Sequence, residues 1–252
     1  MPSSNVTVTP VYQFTGGGGG DERGGSSTGG GRPLTTTPTS TGIIEVGDPD
    51  FFVEGEKTPL GDAPIWTNPF TDISNSDWFF RYVQYAFENK LMTGTSATTF
   101  SPNSHLTRGM VVTVLYRHAG EPDVSGFDNP FNDVGDSWYT KAVLWAAAND
   151  IVSGYGDGRF GPEINITRQD LAVILNNYAK FAEMDLPTAR EYAGFADDMD
   201  IRNYAKEAIE RFFRAGIING KPGNLYDPQG NATRAEFATM LMNFLEASIQ
   251  TG

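Results

Sequence analysis

The 252-residue chain has no cysteine and only two histidines, His105 and His118. The first absence excludes disulfides and thiolate chemistry while remaining compatible with an oxidising exterior. The second leaves little for histidine-based acid–base catalysis, and no Gly-x-Ser-x-Gly, His-Glu-x-x-His or phosphate-cradling glycine loop is present. The run Gly16 to Gly20 has no strand before it and no helix after it, so it is not a nucleotide motif. Carboxylates are abundant, but no pair recurs in a pocket-like context of the kind glycoside hydrolysis needs. Asp157-Gly158 and Asp197-Asp198-Met199-Asp200 lack the alternating ligand spacing of a calcium loop. No enzyme, cofactor or metal is therefore expected.

Long apolar runs are also missing: none approaches the roughly 18 residues of a membrane span. Met1-Pro2-Ser3-Ser4 lacks the basic and apolar regions of a signal peptide, so the expected export signal lies upstream of this fragment. Basic residues are outnumbered, 18 against 31 acidic, for a net charge of −13. Such a chain is repelled by nucleic acid and by anionic lipid, and neither partner is expected.

Aromatics are plentiful at 12%, but they are unevenly placed. Residues 1–66 hold glycine clusters at Gly16 to Gly20 and Gly29 to Gly31 and a Thr/Ser/Pro stretch from Pro33 to Thr41. That composition buries too little apolar surface to offset chain entropy, and the segment reads as a disordered, flexible tether. The sparse apolar residues Ile43, Ile44, Val46, Phe51 and Phe52 offer it at most a short docking segment.

The rest of the chain repeats itself three times. Phe70-Thr71-Asp72, Phe131-Asn132-Asp133 and Phe195-Ala196-Asp197 open the copies, and Thr107-Arg108, Thr167-Arg168 and Thr233-Arg234 begin their last segments. Trp78 to Trp138, Gly94 to Gly154 and Arg108 to Arg168 each step by 60 residues, and the corresponding steps to Tyr204, Gly220 and Arg234 are each 66. The boundaries read as 67–122, 127–186 and 191–248, with a longer connection around Ala182 to Ala193.

Within each copy two apolar stretches at spacings of three and four predict helices. The first carries Phe79, Val83, Ala86, Phe87 and Leu91, or Tyr139, Val143, Ala146, Ala147 and Ile151, or Tyr204, Ala208, Ile209 and Phe212, and is expected to stop at Gly94, Gly154 or Gly220. The second carries Met110, Val111, Val114 and Leu115, or Leu171, Ile174, Leu175 and Tyr178, or Phe237, Met240, Leu241 and Phe244. A single helix–loop–helix cannot bury its own apolar face, so an all-α bundle of three repeats with pseudo-threefold symmetry is predicted.

The order Phe-x-Asp, Trp, Gly-Tyr-Gly-Asp-Gly-Arg-Phe-Gly-Pro (154–162) and Ile-Thr-Arg-Gln-Asp (166–170) resembles the S-layer homology (SLH) repeat of bacterial surface proteins. The resemblance covers roughly residues 68–247. Copy one departs from it with Met110 where the family places an acid and a loop without Asp-Gly, and copy three replaces Trp with Tyr204. The resemblance implies an extracellular, cell-wall or S-layer location and a three-lobed anchor whose inter-lobe grooves hold secondary cell-wall polysaccharide, typically through a pyruvate ketal carboxylate. Peptidoglycan is a second wall partner to consider. An S-layer-type self-assembly module and an anchor for an upstream enzyme are the alternatives. The family arginine carries over to Arg108, Arg168 and Arg234.

A physical argument bears on those arginines. Thr caps each helix, with Thr233 and Glu236 forming a capping box and Thr167 and Asp170 a shorter version. Arginine then falls where the helix dipole disfavours a cation, which suits a carboxylate held by free first-turn N–H groups and a guanidinium fork. The competing reading is that each arginine covers an aromatic ring or pairs with a nearby acid. Met110 cannot partner Arg108, so copy one is expected to be the weakest site. Trp78, Trp138 and Tyr204 stack on sugar or pack between repeats, and Gly154 and Gly220 complete the expected groove. Asp72, Asp133 and Asp197 read as turn or capping residues.

Overall fold

The computed structural model describes residues 66–249; the tether expected over 1–66, apart from Trp66, and its docking segment lie outside the described residues. Six helices follow one another: α1 Phe80–Glu88, α2 Arg108–His118, α3 Thr140–Ala148, α4 Arg168–Phe181, α5 Asn203–Arg214 and α6 Arg234–Ile249, with a 3-10 turn at Asp198–Asp200. No extended strand occurs among the described residues, only isolated bridges, so the all-α expectation holds. Trp66, assigned above to the tether, packs edge-on against Phe80 at 5.2 Å and so belongs to the folded part.

The helices pair across repeat boundaries. α3 packs on α2, α5 on α4, and α1 on α6, so the last repeat closes onto the first. Each lobe therefore combines the second helix of one repeat with the first helix of the next. The second helices α2 and α4 are buried on nearly every side, whereas α1 and α5 bury a single stripe (Val83 and Ala86; Ala205, Ala208, Ile209 and Phe212). Inner helices thus form the hub, and outer helices cover it.

A closed ring of backbone hydrogen bonds marks one end of the pseudo-axis. Leu106 N–H donates to Ala232 O (3.0 Å), Ala232 N–H to Ile166 O (3.0 Å) and Ile166 N–H to Leu106 O (2.9 Å). All three residues are fully buried and each immediately precedes a capping threonine, so the ring sets where α2, α4 and α6 begin. Toward the other end the equivalent residues His118, Tyr178 and Phe244 meet, with ring centroids 5.7 and 6.3 Å apart along the series.

The helix stops differ from the expectation. Reversal is made by Lys90 (φ 58°), Asp150 (φ 56°) and Gly216 (φ 75°), four residues before the predicted glycines. These positions close the helix in the left-handed conformation typical of a C-terminal cap. The glycines serve a close approach instead. A Cβ on Gly154 would lie 2.5 Å from Arg159 O and 2.8 Å from the Phe131 ring, and one on Gly94 2.6 Å from Phe70. The opening phenylalanine of each repeat is thus seated on its loop glycine.

The opening aspartates clamp the same loop. Asp72 accepts from Phe100 N–H (2.8 Å) and Ser101 N–H (2.7 Å), Asp133 from Phe160 and Gly161 (both 2.8 Å), and Asp197 from Tyr226 (2.8 Å) and Asp227 (2.7 Å). They cap no helix. Each ties the start of a repeat to the turn about 28 residues later, satisfying two N–H groups with one carboxylate.

Candidate functional site

Each second helix begins with its threonine accepting from the third N–H of the helix: Thr107 from Met110 (3.3 Å), Thr167 from Asp170 (3.2 Å) and Thr233 from Glu236 (3.2 Å). Glu236 accepts in return from Thr233 N–H at 2.8 Å, completing the expected capping box. Asp170 does not reciprocate toward Thr167; its Oδ1 accepts from the Tyr204 hydroxyl at 2.6 Å.

The first-turn N–H groups are not free. Arg108 N–H donates to Ile164 O (3.0 Å) and Gly109 N–H to Pro162 O (2.9 Å); Arg168 and Gln169 donate to Gly230 O (2.8 Å) and Pro228 O (3.1 Å); Arg234 and Ala235 donate to Ser104 O and Pro102 O (both 2.9 Å). The helix ends are closed by the next repeat, which corrects the expectation that they offer bare donors to an anion.

The arginine side chains are buried, at 6 to 7% exposure, and they staple successive repeats. Arg108 Nε donates to Phe160 O (2.9 Å) and Nη2 to Ser153 O (3.0 Å). Arg234 matches it, with Nε on Phe100 O (2.8 Å) and Nη2 on Thr93 O (2.6 Å). Arg168 Nε donates to Tyr226 O (2.8 Å), but its Nη1 goes to Glu236 Oε1 at 2.7 Å. Each guanidinium also lies 4.5 to 5.2 Å from the centre of the same repeat-loop aromatic ring. Carbonyl oxygens and ring faces thus compensate a cation at the helix start, so position alone does not demand an external anion. Burial pulls the Arg234 guanidinium below its ordinary value, with Asp72 opposing the shift.

Donors remain. Among the described residues Arg108 and Arg234 make no ion pair with an acid, and their hydrogen bonds run from Nε and Nη2, which leaves Nη1 of each open. No buried side-chain nitrogen or oxygen of the described residues lacks a partner, so these open donors reach solvent. Arg108 also lines a cavity of about 320 Å³ between lobes, together with Gly154, Tyr155, Asp170, Asn177 and Tyr204 among others.

This cavity corrects the pairing assumed from sequence. The acid near each arginine comes from the following repeat: Glu236 for Arg168 and Asp170 in the cavity of Arg108. Met110 is the repeat equivalent that this progression assigns to Arg234, so its apolar side chain says nothing against Arg108.

The structure brings Arg108, Asp170, Tyr204 and Gly154 together, and it joins Arg168 to Glu236. Trp78, Trp138 and Tyr204 are exposed to 58, 57 and 56%, with their neighbours Phe79, Tyr139 and Ala205 turned into the core. Tyr204 lies inside the first turn of α5, whereas Trp78 and Trp138 precede their helices. Desolvation and the hydrogen bond to Asp170 raise the Tyr204 hydroxyl's pKa and keep it protonated. Gly220 seats Phe195, with a Cβ there 3.1 Å from the ring.

Sequence reasoning missed Tyr155, whose ring lies 5.0 Å from the Arg108 guanidinium and is 49% exposed. Its position directly after Gly154, occupied by Thr95 and Lys221 in the other repeats, was the available signal. It also missed Arg190 in the long connection, which donates to Phe213 O at 2.6 Å and to Ile218 O and stacks 3.8 Å from the Phe213 ring.

A family model for the S-layer homology domain matches residues 69–109, 130–172 and 198–238, one segment per repeat. The chain belongs to the S-layer homology family. Similar proteins include an endoglucanase of Bacillus sp. (strain KSM-635), 31% identical over 70% of this chain and 19% of that protein. An amylopullulanase of Thermoanaerobacterium thermosulfurigenes is 31% identical over 71% of this chain and 10% of its own length. A cellulosome-anchoring protein of Acetivibrio thermocellus is 26% identical over 58% of this chain and 33% of its own. The chain thus spans about a third or less of these relatives. S-layer homology repeats are cell-surface anchoring modules, and that coarse role extends to this chain. No helix among the described residues is long and apolar enough to cross a membrane.

Proposed function

We propose that the three repeats, over 67–122, 127–186 and 191–248, anchor an extracellular protein non-covalently by holding an acidic secondary cell-wall polysaccharide in the grooves between lobes. The observation that carries this reading is the Arg108 cavity. A buried guanidinium, fixed by two carbonyls and with a donor left open, lines a cleft walled by half-exposed tyrosines. A fixed cation with aromatic walls is the chemistry that reads a sugar ring bearing a carboxylate, such as a pyruvate ketal. The net charge of −13 disfavours nucleic acid as the occupant. Arg108, Arg168 and Arg234 are the carboxylate readers, with Trp78, Trp138 and Tyr204 as sugar platforms and Gly154 and Gly220 at the groove floors. The module itself is non-catalytic; any enzyme is cargo joined to it.

The test is co-sedimentation of the full chain with bacterial sacculi that are native, stripped of secondary polymer by hydrofluoric acid, or depyruvylated. Loss of binding on both treatments is expected. Binding that survives both overturns the carboxylate reading in favour of peptidoglycan or self-assembly.

A further inference from the structure

We propose that the three grooves are unequal by construction: the Arg108 groove is the principal acidic-sugar site, and Glu236 fills the Arg168 groove as a built-in carboxylate. This rests on the glycan reading above and goes beyond it by ranking the sites within the chain.

The argument starts from the acid at the third helical position. In α6 it is Glu236, long enough to reach back across the repeat boundary to Arg168 Nη1 at 2.7 Å. In α4 the same position holds Asp170, one methylene shorter, and its Oδ1 is taken by Tyr204 at 2.6 Å. In α2 it is Met110, which carries no charge. The same cation is consequently paired in one groove and unpaired in two. A ligand carboxylate entering the Arg168 groove has to displace Glu236 and leave that carboxylate without its guanidinium, whereas at Arg108 it meets an open donor.

The position after the loop glycine separates the two open grooves. Tyr155 lies against the Arg108 guanidinium and faces the cavity that Tyr204 also lines, giving the sugar two aromatic walls. By repeat equivalence Thr95 takes the place of Tyr155 in the groove of Arg234, whose guanidinium bonds Thr93 O, and Trp138 takes the place of Tyr204, so that groove has the charge with one aromatic platform in place of two. Lys221 is the corresponding residue near Arg168, where its Nζ lies 2.7 Å from Asp227 and 3.8 Å from Glu236, completing an internal charge network. The resulting order of affinity is Arg108, then Arg234, then Arg168. It puts first the site expected to be the weakest when Met110 was paired with Arg108.

The test follows each groove separately in the full chain. Amide resonances of Gly154, Gly94 and Gly220 are monitored during titration with the methyl glycoside of 4,6-pyruvylated N-acetylmannosamine, with the uncarboxylated glycoside as control. The Gly154 amide is expected to shift at the lowest concentration, Gly94 at higher concentration, and Gly220 least. Tyr155→Thr, a surface change, should weaken the Gly154 site about tenfold. Glu236→Gln, which retains the cap to Thr233, should bring Gly220 into the range of Gly94. Gly220 shifting first in the native chain, or an unchanged Gly220 response in Glu236→Gln, overturns the ranking. No specific shift at any of the three amides overturns the glycan reading and the ranking together, while equal shifts at all three overturn the ranking alone.

Discussion

The grooves of Arg108 and Arg168 are assembled from equivalent residues of successive repeats, yet one guanidinium is left with an open donor and the other is committed to Glu236. Asp170, one methylene shorter than Glu236, and Tyr155 against Lys221 separate the two arrangements. Burial, stapling to a loop carbonyl and stacking on an aromatic ring are common to both, so these features belong to the fold. What differs is electrostatic closure, and that is the part available to a ligand. Stability and binding should accordingly respond to the two arginines in opposite order.

The largest expected effect breaks that symmetry directly. Arg168→Met removes a carbonyl bond and leaves the Glu236 carboxylate, 21% exposed, with only the Thr233 N–H and the more distant Lys221 at 3.8 Å, a change expected to cost about 3 kcal/mol. Arg108→Met loses two carbonyl bonds but strands no acid, and about 2 kcal/mol is expected. Urea unfolding of both variants measures the difference, and wall co-sedimentation should rank them the other way, with Arg108→Met losing more binding. Equal destabilisation with equal loss of binding would show that both arginines do the same job.

The floors of the two grooves sharpen the comparison. A Cβ at Gly154 meets Arg159 O at 2.5 Å, whereas one at Gly220 meets its nearest atoms at 3.1 Å. Gly154→Ala is expected to cost about 2 kcal/mol because a backbone oxygen must move, and Gly220→Ala about 1 kcal/mol because small adjustments suffice. Denaturation midpoints at matched slope test this.

Repeat register, helix faces, the capping threonines and the arginines were all legible in the sequence, because each is a local pattern repeated at a fixed step. The partnerships between repeats were not. Arg168 meets Glu236 across 68 residues, and α1 meets α6 at opposite ends of the folded chain, connections that no local spacing encodes. Reading Met110 as the partner of Arg108 failed because the groove is built from two repeats. The loop glycines were found for the wrong reason: their spacing was visible, but the ring each one seats belongs to a phenylalanine more than 20 residues earlier.

At the far end of the axis the three repeats contribute His118, Tyr178 and Phe244 rather than one residue three times. Burial lowers the His118 pKa below 6.5, so the folded state favours the neutral ring. As pH falls through the unfolded value the unfolded chain binds the proton first. Stability should therefore be full above about 6.5, decline as acid is added, and stop declining from this cause once the folded-state imidazole is protonated. Thermal melts of the native chain and His118→Phe between pH 7.5 and 5 test it; the variant should lose this part of the pH dependence.

The smallest effect concerns the outer edge of the closed groove. Lys221 binds Asp227 at 2.7 Å, with side chains exposed to 38 and 44%, and stands 3.8 Å from Glu236. Partly exposed pairs of this kind contribute a few tenths of a kcal/mol, so Lys221→Met should barely shift the unfolding midpoint. Its electrostatic effect is more informative than its stability effect. Removing this cation holds Glu236 less firmly, yet it also takes away positive charge that an incoming carboxylate would meet. If Glu236 alone closes the groove, Lys221→Met should leave the Gly220 amide as unresponsive to the pyruvylated glycoside as it is in the native chain, and the variant combined with Glu236→Gln should respond more weakly than Glu236→Gln by itself. A strong response in the single variant would make Lys221, rather than the extra methylene of Glu236, the residue that distinguishes the two grooves.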